Sequence, residues 1–504
     1  MHNRLLILSV FVVASCGLAY ELIAGALSSY LLGDSILQFS SIIGCYLFAM
    51  GVGAHVSRQI ADADVLERFI DIELLIALLG GVSATLLFTI FAWSAAPFRV
   101  TLYAMVFIIG VMVGMEIPLV MRALNERQAA FKDIVSRVLT FDYLGALAVS
   151  LLFPLVLAPS LGLSRTAFCF GLMNALVAYW MTHVFAASLP KHKTQRLRAV
   201  LVIGLMILGL VFSDRMTQWA ERNFYGDEIV HASTSPYQRI VVTQYKDDTR
   251  LYINGNLQFS ARDEHRYHEA LVHPAMQRLP NAKRILVLGG GDGLAVRELL
   301  KYPQVTNITL VDLDPAMTQL FKSASALTKL NADALSDARV TIVNQDAAVW
   351  LEQSKQIFDA AIVDFPDPSN FSLGKLYSVP FYRLLARHVD PKGFIVIQST
   401  SPWYAPNAFW SINETLKVAG YKTWPYHLYV PSFGEWGFVL ASKQGNFLVP
   451  TEFTVARRFL DATNTAAMFQ FPADMAERVV EPNHLNTQRL VKYFEDDWAQ
   501  HVRR

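Results

Sequence analysis

Four aspartates in the C-terminal half of the chain stand where short apolar segments end. Asp292 lies within the glycine run Gly289–Gly293, while Asp312, Asp346 and Asp364 each follow an apolar stretch. Glycines let a ligand approach the backbone closely, because no side chain intervenes. Asp312 comes 19 residues after the last glycine of the run, the spacing at which a carboxylate reaches ribose hydroxyls in nucleotide-binding folds. The pattern favours an adenosine-containing ligand over the alternative, a tight structural turn beside a surface carboxylate.

The segment Asp364–Pro368 (DFPDP) places two further carboxyl groups together. Its prolines and aspartates form a turn directly after an apolar stretch, which puts Asp364 and Asp367 close to each other. Two neighbouring carboxylates can bind an ammonium group, and one of them can accept a proton. Since aspartate is also a common turn residue, this segment by itself leaves a turn without chemistry as the alternative.

Strands of a sheet are needed to bring these aspartates to one edge. Apolar segments predict strands at residues 285–288, 308–313, 340–343, 360–363 and 394–397, with helical segments near 315–326, 347–355 and 378–388. This alternation predicts a doubly wound parallel sheet, an α/β Rossmann-like domain over residues 283–445. Ligands of such sheets bind beyond the carboxyl ends of the strands.

A small β-region precedes the predicted α/β domain, over residues 228–282. Residues 237–245 and 250–253 have the composition of strands, and Asn254-Gly255 is a hairpin turn signal. Residues 446–504 then form a C-terminal extension.

The N-terminal half has a different composition. Charged residues make up about 11% of residues 1–213 and about 21% of the rest, against about 25% in soluble domains. Segments of roughly 17–25 apolar residues can cross a bilayer as helices. We predict a seven-helix transmembrane domain over residues 1–213, followed by a connector over 214–227. Its helices are expected near residues 5–27, 36–57, 72–96, 98–121, 138–160, 163–186 and 199–213.

Charges in this half bear on orientation and on function. Loops on the N-terminal side hold most of the lysines and arginines, which predicts a cytoplasmic N-terminus and, with seven spans, an external C-terminal half. Glu21, Glu116 and Asp142 fall within predicted spans. They form either a polar lining for a cationic ligand or hydrogen bonds between helices. Over the whole chain, 43 basic residues balance 42 acidic ones, so no basic surface for nucleic acid is expected.

The motifs, taken in order, resemble those of the spermidine synthases. The resemblance covers about residues 228–445, and the N-terminal half is similar to that of the membrane-embedded bacterial members, through Tyr20–Leu22 and Met115–Pro118. The matching motifs in the C-terminal half are Ser235–Gln238, Asp263–Glu269, Gly289–Gly293, Val311–Asp314, Asp346-Ala347, Asp364–Pro368, Ser399–Pro402 and Gly434–Phe438.

The resemblance implies a polyamine aminopropyltransferase. Such an enzyme transfers an aminopropyl group from decarboxylated S-adenosylmethionine, a co-substrate, to putrescine, and it needs no cofactor or metal. The products are spermidine and methylthioadenosine. By position, Asp364 would be the proton acceptor. The donor or methylthioadenosine would be bound by Gln238, Gly289, Gly291, Asp312, Asp346 and Ala347. The polyamine would be bound by Tyr267, His268, Asp292 and Asp367. Asp312 stands where the family usually has glutamate.

Two other functions remain open from the sequence: a membrane S-adenosylmethionine-dependent methyltransferase, and a non-catalytic polyamine sensor or transporter. Asp292 favours aminopropyl transfer, because it would repel the carboxylate at the end of an ordinary methyl donor. We expect putrescine or a related polyamine and the lipid bilayer as partners, and a multi-pass position in the cell membrane. A cytosolic donor favours a cytoplasmic catalytic half, against the charge rule. The sequence does not distinguish a homodimer from a homotetramer.

Overall fold

The computed structural model describes residues 2–32, 36–93, 95–125 and 131–502. The chain divides into two units, Met1–Ile229 and Val230–Arg504. Arg127, one of the loop arginines on which the prediction of a cytoplasmic N-terminus depends, lies outside the described residues.

The first unit is built of long apolar helices. Apolar side chains cover these helices on all sides: Ile23 and Ile76 are buried, whereas Leu47 and Phe48 are more than half exposed. A helix that is apolar all round is typical of a membrane span or of the core of a large protein. The described helices, α1 to α7, span His2–Leu32, Ile36–Val56, Val65–Trp93, Ala95–Asn125, Phe131–Leu152, Ala158–Val184 and His192–Tyr225.

Six stretches in the described residues are long and apolar enough to cross a bilayer. One of them, residues 132–184, contains α5, a π-helical segment at Phe153–Leu157 and α6. Its 53 residues would measure about 80 Å as a straight helix, far more than the roughly 30 Å hydrocarbon core. Gly162 interrupts it with non-helical dihedral angles (φ 73°, ψ 172°). This break lies between the predicted segments 138–160 and 163–186. Most of the predicted connector, residues 214–227, is the C-terminal part of the last helix, α7, which ends at Tyr225.

Glu116, which is predicted to lie within a span, is buried beside Glu73 of α3. Glu73 itself is fully buried. Glu21 and Asp142 are only partly buried. The carboxyl groups of Glu73 and Glu116 therefore meet between helices α3 and α4.

The second unit begins with a small antiparallel sheet. Its strands, in order β1 to β4, are Glu228–Thr234, Arg239–Tyr245, Asp248–Ile253 and Asn256–Ser260. Asn254 and Gly255 join the last two strands with positive φ angles of 49° and 81°. Positive φ at both central residues is the geometry of a type I′ turn, for which Asn-Gly is favoured.

A seven-stranded mixed sheet follows, in the order β10-β11-β9-β8-β5-β6-β7. Strands β5 to β9 are mutually parallel, and each corresponds to one of the five predicted strands. Four of the predictions lie within the observed strands, and the prediction 308–313 extends one residue beyond β6. Strands β10 and β11 are antiparallel and were not predicted. The sheet is therefore mixed rather than wholly parallel. Strands β5 to β11 span Arg284–Gly289, Asn307–Asp312, Val340–Asn344, Phe358–Asp364, Val389–Gln398, Lys422–Val430 and Gly434–Ser442.

Helices cover both faces of this sheet. Along β5, Ile285 and Val287 pack into one hydrophobic core, while Leu286 and Leu288 pack into the other. All four are fully buried, as expected for a central parallel strand. The described helices, α8 to α17, span Glu264–Met276, Leu294–Leu300, Pro315–Ser323, Ser325–Leu330, Ala347–Gln353, Phe371–Gly374, Val379–Leu385, Pro406–Val418, Ala462–Met468 and Arg489–Val502.

The C-terminal extension is tied to this unit by buried carboxylates. The Asp497 carboxylate of α17 accepts backbone N–H bonds from Asn407 and Ala408 at the start of α15. The Glu269 carboxylate of α8 accepts three, from residues 458–460. Such bonds to a charged acceptor are about twice as strong as neutral ones.

Candidate active site

The order of the parallel strands reverses between β5 and β8, and their carboxyl ends meet there. Gly289, the last residue of β5, pairs with Asp364, the last residue of β8. Gly289 has φ 77°, and a Cβ atom on it would lie 2.3 Å from the Asp364 carbonyl oxygen. Only glycine fits this backbone conformation and this close approach. The glycine loop and the DFPDP turn are therefore held side by side.

Asp364 lies between the glycine loop and a tyrosine. The Tyr267 hydroxyl of α8 donates a hydrogen bond to Asp364 Oδ1 at 2.5 Å. Asp364 Oδ2 is on the side of the glycine loop, 3.2 Å from where a Cβ of Gly290 would be. Burial raises the pKa of Asp364 to about 6, with a further increase from the Asp292 charge, while His268 and the Tyr267 bond act in the opposite direction. This pKa makes Asp364 a stronger base than an exposed aspartate.

Asp367, in the same turn, is held by the end of β9. Gln398 donates from Nε2 to Asp367 Oδ1 at 3.1 Å and to the Phe365 carbonyl at 2.8 Å. The Gln398 amide is oriented by the Thr400 N–H, which donates to its Oε1 at 2.7 Å. Burial raises the pKa of Asp367 to about 6, although the Gln398 bond lowers it.

Asp292 and His268 are the other two ionisable groups near Asp364. Asp292 Oδ1 accepts the Leu294 N–H at 2.9 Å. Burial raises the pKa of Asp292, while the neighbouring His268 charge lowers it. The ring of His268 lies 4.9 Å from that of Tyr267. The structure thus brings all four predicted polyamine-binding residues into the neighbourhood of Asp364.

Asp312, at the end of β6, stands on the other side of the glycine loop. Its Oδ2 accepts the Gly291 N–H at 3.0 Å, and its Oδ1 accepts the Asp314 N–H at 2.9 Å. A Cβ on Gly291 would lie 2.7 Å from Oδ2, so this bond needs glycine. Burial raises the pKa of Asp312 to about 6. Each carboxylate oxygen keeps a lone pair for a ligand hydroxyl.

Asp346 is already engaged by the protein. Its Oδ1 caps α12 by accepting the N–H groups of Ala348 and Val349, and its Oδ2 accepts Lys375 Nζ at 2.7 Å. Burial would raise the pKa of Asp346, but Lys375 and the cap bonds lower it overall. Ala347, the first residue of α12, is buried.

Gln238 lies in the loop before β2. Ser235 accepts the Gln238 N–H at 3.1 Å and donates to Asp314 Oδ2 at 2.7 Å. This pair of bonds ties the loop to the segment that follows Asp312. The side chain of Gln238 is partly exposed.

Comparisons with known proteins show the family of the chain. The spermine/spermidine synthase domain model matches residues 264–452. The chain is 64% identical over 501 residues to polyamine aminopropyltransferase 2 of Ralstonia nicotianae, covering 98% of both chains. It is 48% identical over 493 residues to the polyamine aminopropyltransferase of Leptospira interrogans, again covering 98% of both. The chain belongs to the polyamine aminopropyltransferase family.

The similarity of this aminopropyltransferase to its relatives includes the helical unit, since nearly the whole chain is covered. As a member of this family, it uses decarboxylated S-adenosylmethionine as a co-substrate and needs no cofactor. A solved spermidine synthase in complex with the transition-state analogue AdoDATO shares 24% identity, covering 49% of this chain and 86% of that chain with a TM-score of 0.46.

Several residues of the aminopropyltransferase site were not assigned a role from the sequence. Gln398 holds the DFPDP turn, and Lys375 pairs with Asp346. Glu264 contacts His268 one helical turn away. Of the three, only Glu264 had a usable signal, because a glutamate and a histidine four residues apart face each other on a helix.

Proposed function

We propose that the enzyme transfers the aminopropyl group of decarboxylated S-adenosylmethionine to putrescine, with Asp364 as the proton acceptor. The position of Asp364 carries this proposal. One of its oxygens is held by Tyr267, and the other lies at the glycine loop. Asp292 belongs to that loop, and Asp312 accepts a hydrogen bond from its Gly291 N–H. A carboxylate at this point is close to both halves of the reaction.

The chemistry follows from the two reactants. The donor carbon is bonded to a positively charged sulfur, which leaves as the neutral thioether of methylthioadenosine. The acceptor is an alkyl ammonium with a pKa near that of lysine, about 10.4, and it has no lone pair until it loses a proton. Asp364 takes this proton, the freed nitrogen lone pair attacks the carbon, and the carbon–sulfur bond breaks. Holding the two reactants in line supplies much of the rate enhancement.

A diamine has a second ammonium group that needs a partner. Asp367 offers one in the same turn as Asp364, with its carboxylate fixed by Gln398. Asp292, beside the glycine loop, suits the ammonium at the end of the donor's aminopropyl chain. The carboxylates of the site therefore match the positive charges of the two substrates.

The test is turnover by the purified full-length protein with labelled decarboxylated donor and putrescine. We expect equal amounts of spermidine and methylthioadenosine. Asp364→Asn should lower kcat by about 10²- to 10⁴-fold, the usual contribution of a general base, while methylthioadenosine still binds. Asp333→Asn is the matched control, because Asp333 is exposed and its positive φ suits asparagine. Spermidine formation at the normal rate by Asp364→Asn would remove Asp364 as the base.

We further propose that the helical unit spans the cell membrane several times, with the catalytic unit in the cytoplasm. Its candidate spans are apolar, and several large apolar side chains are exposed, including Leu155, Leu201 and Val211. The donor is a cytosolic metabolite, which favours a cytoplasmic site. The excess of lysine and arginine in the loops on the N-terminal side, combined with seven spans, instead predicts that the catalytic unit lies outside the cell. Periplasmic-phosphatase and cytoplasmic-fluorescence reporters fused at the C-terminus decide between the two, since phosphatase activity alone would place the catalytic unit outside.

A further inference from the structure

Glu264 and His268 form a buried pair at the start of α8. The side chains are 1% and 3% exposed. His268 Nδ1 lies 2.9 Å from Glu264 Oε2 and 2.8 Å from the Glu264 carbonyl oxygen. Both partners are acceptors, so Nδ1 carries a hydrogen whether the ring is neutral or charged. Within the described part of the chain, no protein group hydrogen-bonds Nε2, which leaves that atom for a ligand.

Glu264 is itself held rigidly. Arg297 of α9 donates to both of its carboxylate oxygens, from Nη1 to Oε1 and from Nη2 to Oε2, each at 2.9 Å. Although burial raises the pKa of Glu264, His268 and Arg297 lower it to about 2. Glu264 therefore remains ionised, and a bidentate arginine fixes the plane of its carboxylate.

Arg297 is anchored in turn by Glu298, at 2.9 Å from Nε. Glu298 also pairs with His273 and with Lys301. It is as buried as Glu264, but none of its bonds reaches His268. Glu298 is therefore a natural control for any effect of the network on folding alone.

The titratable groups around His268 come from three elements. Glu264 and Tyr267 lie on the same helix as His268, α8. Asp292 comes from the loop after β5, and Asp364 comes from the end of β8. Burial lowers the pKa of His268, but the Glu264 bond and charge, followed by Asp292 and Asp364, raise it overall. A charged ring at this position offsets part of the negative charge of Asp292 and Asp364, which would otherwise attract an amine.

We infer that Glu264 is a positioning residue that keeps Nε2 of His268 directed at the amine site, so that the ring releases its proton when a cationic amine binds. This inference rests on the proposed function for the location of the amine. An ammonium group beside Asp292 and Asp364 is a like charge for the imidazolium, so its arrival favours the neutral ring. The neutral Nε2 then offers a lone pair to the amine N–H, while Nδ1–H stays on Glu264.

Isothermal titration of the full-length enzyme with amine tests this inference. The enzyme is saturated with methylthioadenosine at pH 7, and the titration is repeated in buffers of different ionisation enthalpy, which gives the protons released per amine bound. We expect the wild type to release more protons than His268→Gln, by up to about one per site. Glu264→Gln should bring the release down to that of His268→Gln, while Glu298→Gln should match the wild type. Subtracting the proton release of His268→Gln from that of the wild type removes the protons that come from the carboxyl groups or from the amine.

Two results would overturn the inference. Equal release by the wild type and His268→Gln would show that the ring does not titrate on binding. An equal loss in Glu264→Gln and Glu298→Gln would show that the network acts only through folding, which thermal denaturation of each variant monitors independently. Putrescine, 1,3-diaminopropane and spermidine are titrated in turn. A failure of putrescine alone to bind contradicts the proposed acceptor, and proton release is then judged with the amine that binds.

Discussion

Removing the Tyr267 hydroxyl should shift the acid limb of the pH–rate profile to higher pH. In the wild type, Asp364 must be ionised to accept a proton, so kcat/KM for the amine should fall tenfold per pH unit below its pKa of about 6. The Tyr267 bond, at 2.5 Å from Oδ1, stabilises the ionised form and so lowers that pKa. Tyr267→Phe loses the bond, which raises the pKa.

The size of the shift follows from the strength of that bond. Hydrogen bonds to charged groups contribute about 1.5–3 kcal/mol, which is about 1–2 pKa units at 1.36 kcal/mol each. The acid limb of Tyr267→Phe should therefore lie near pH 7–8. At pH 7 the smaller ionised fraction alone should reduce kcat/KM by about two- to tenfold, and the loss should shrink as the pH is raised.

The assay is the initial rate of methylthioadenosine release at saturating donor, with the amine varied from pH 5 to pH 9. Tyr377→Phe is the matched control, because the Tyr377 hydroxyl is also buried in the site but donates to the carbonyls of Phe365 and Pro366 rather than to Asp364. Its acid limb should stay near pH 6. A Tyr267→Phe limb that also stays near pH 6 would refute the role of this bond, and a wild-type limb near pH 4 would refute the effect of burial.

Three further predictions concern the donor loop, the amine side and stability. Gly291→Ala should raise KM for the donor at least tenfold with a smaller effect on amine KM, because its Cβ would lie 2.7 Å from Asp312 Oδ2; equal donor KM values in the two proteins would contradict this. Asp367→Asn should raise KM for putrescine but leave methylthioadenosine affinity unchanged, as titration would show; weakened methylthioadenosine binding would place Asp367 on the donor side instead. Glu269→Gln should lower the urea midpoint for unfolding of the catalytic unit, measured by tryptophan fluorescence. The reason is that the new amide NH₂ would face the N–H donors of residues 458–460. We expect the free energy of unfolding to fall by about 2–4 kcal/mol, and an unchanged midpoint would contradict the importance of this contact.

The central strands and the aspartates at their ends could be predicted because apolar segments and glycine loops leave a direct sequence pattern. Strand β10 could not, since Pro425 interrupts it and proline argues against an interior strand. In the structure β10 is the edge strand of the sheet, where a missing N–H donor is tolerated. Its partner β11 contains Gly434–Phe438, which the sequence analysis used only as a family motif.

Side-chain partners were harder to predict than backbone elements. The sequence shows that Asp346 follows a strand, but not that its carboxylate caps α12 and pairs with Lys375. The sequence does not reveal Glu73 as a buried ionisable residue, because it lies at the beginning of the predicted span 72–96. In the structure α3 begins at Val65, so Glu73 lies more than two turns inside the helix. For Asp346 the missing information is which distant groups share the site, and for Glu73 it is where the helix begins.

The contact between Gly289 and Asp364 restricts how enzymes of this design can diverge. A single pair of neighbouring strand ends carries both the glycine loop, which we propose for the donor, and Asp364, which we propose as the base. A substitution that remodels the loop also displaces the base, since there is no room for a Cβ between them. Donor choice is thus inherited together with the chemistry. The choice of amine is less constrained, because Asp367 lies outside that contact. Descendants of one ancestral enzyme would then differ first in the amine they accept.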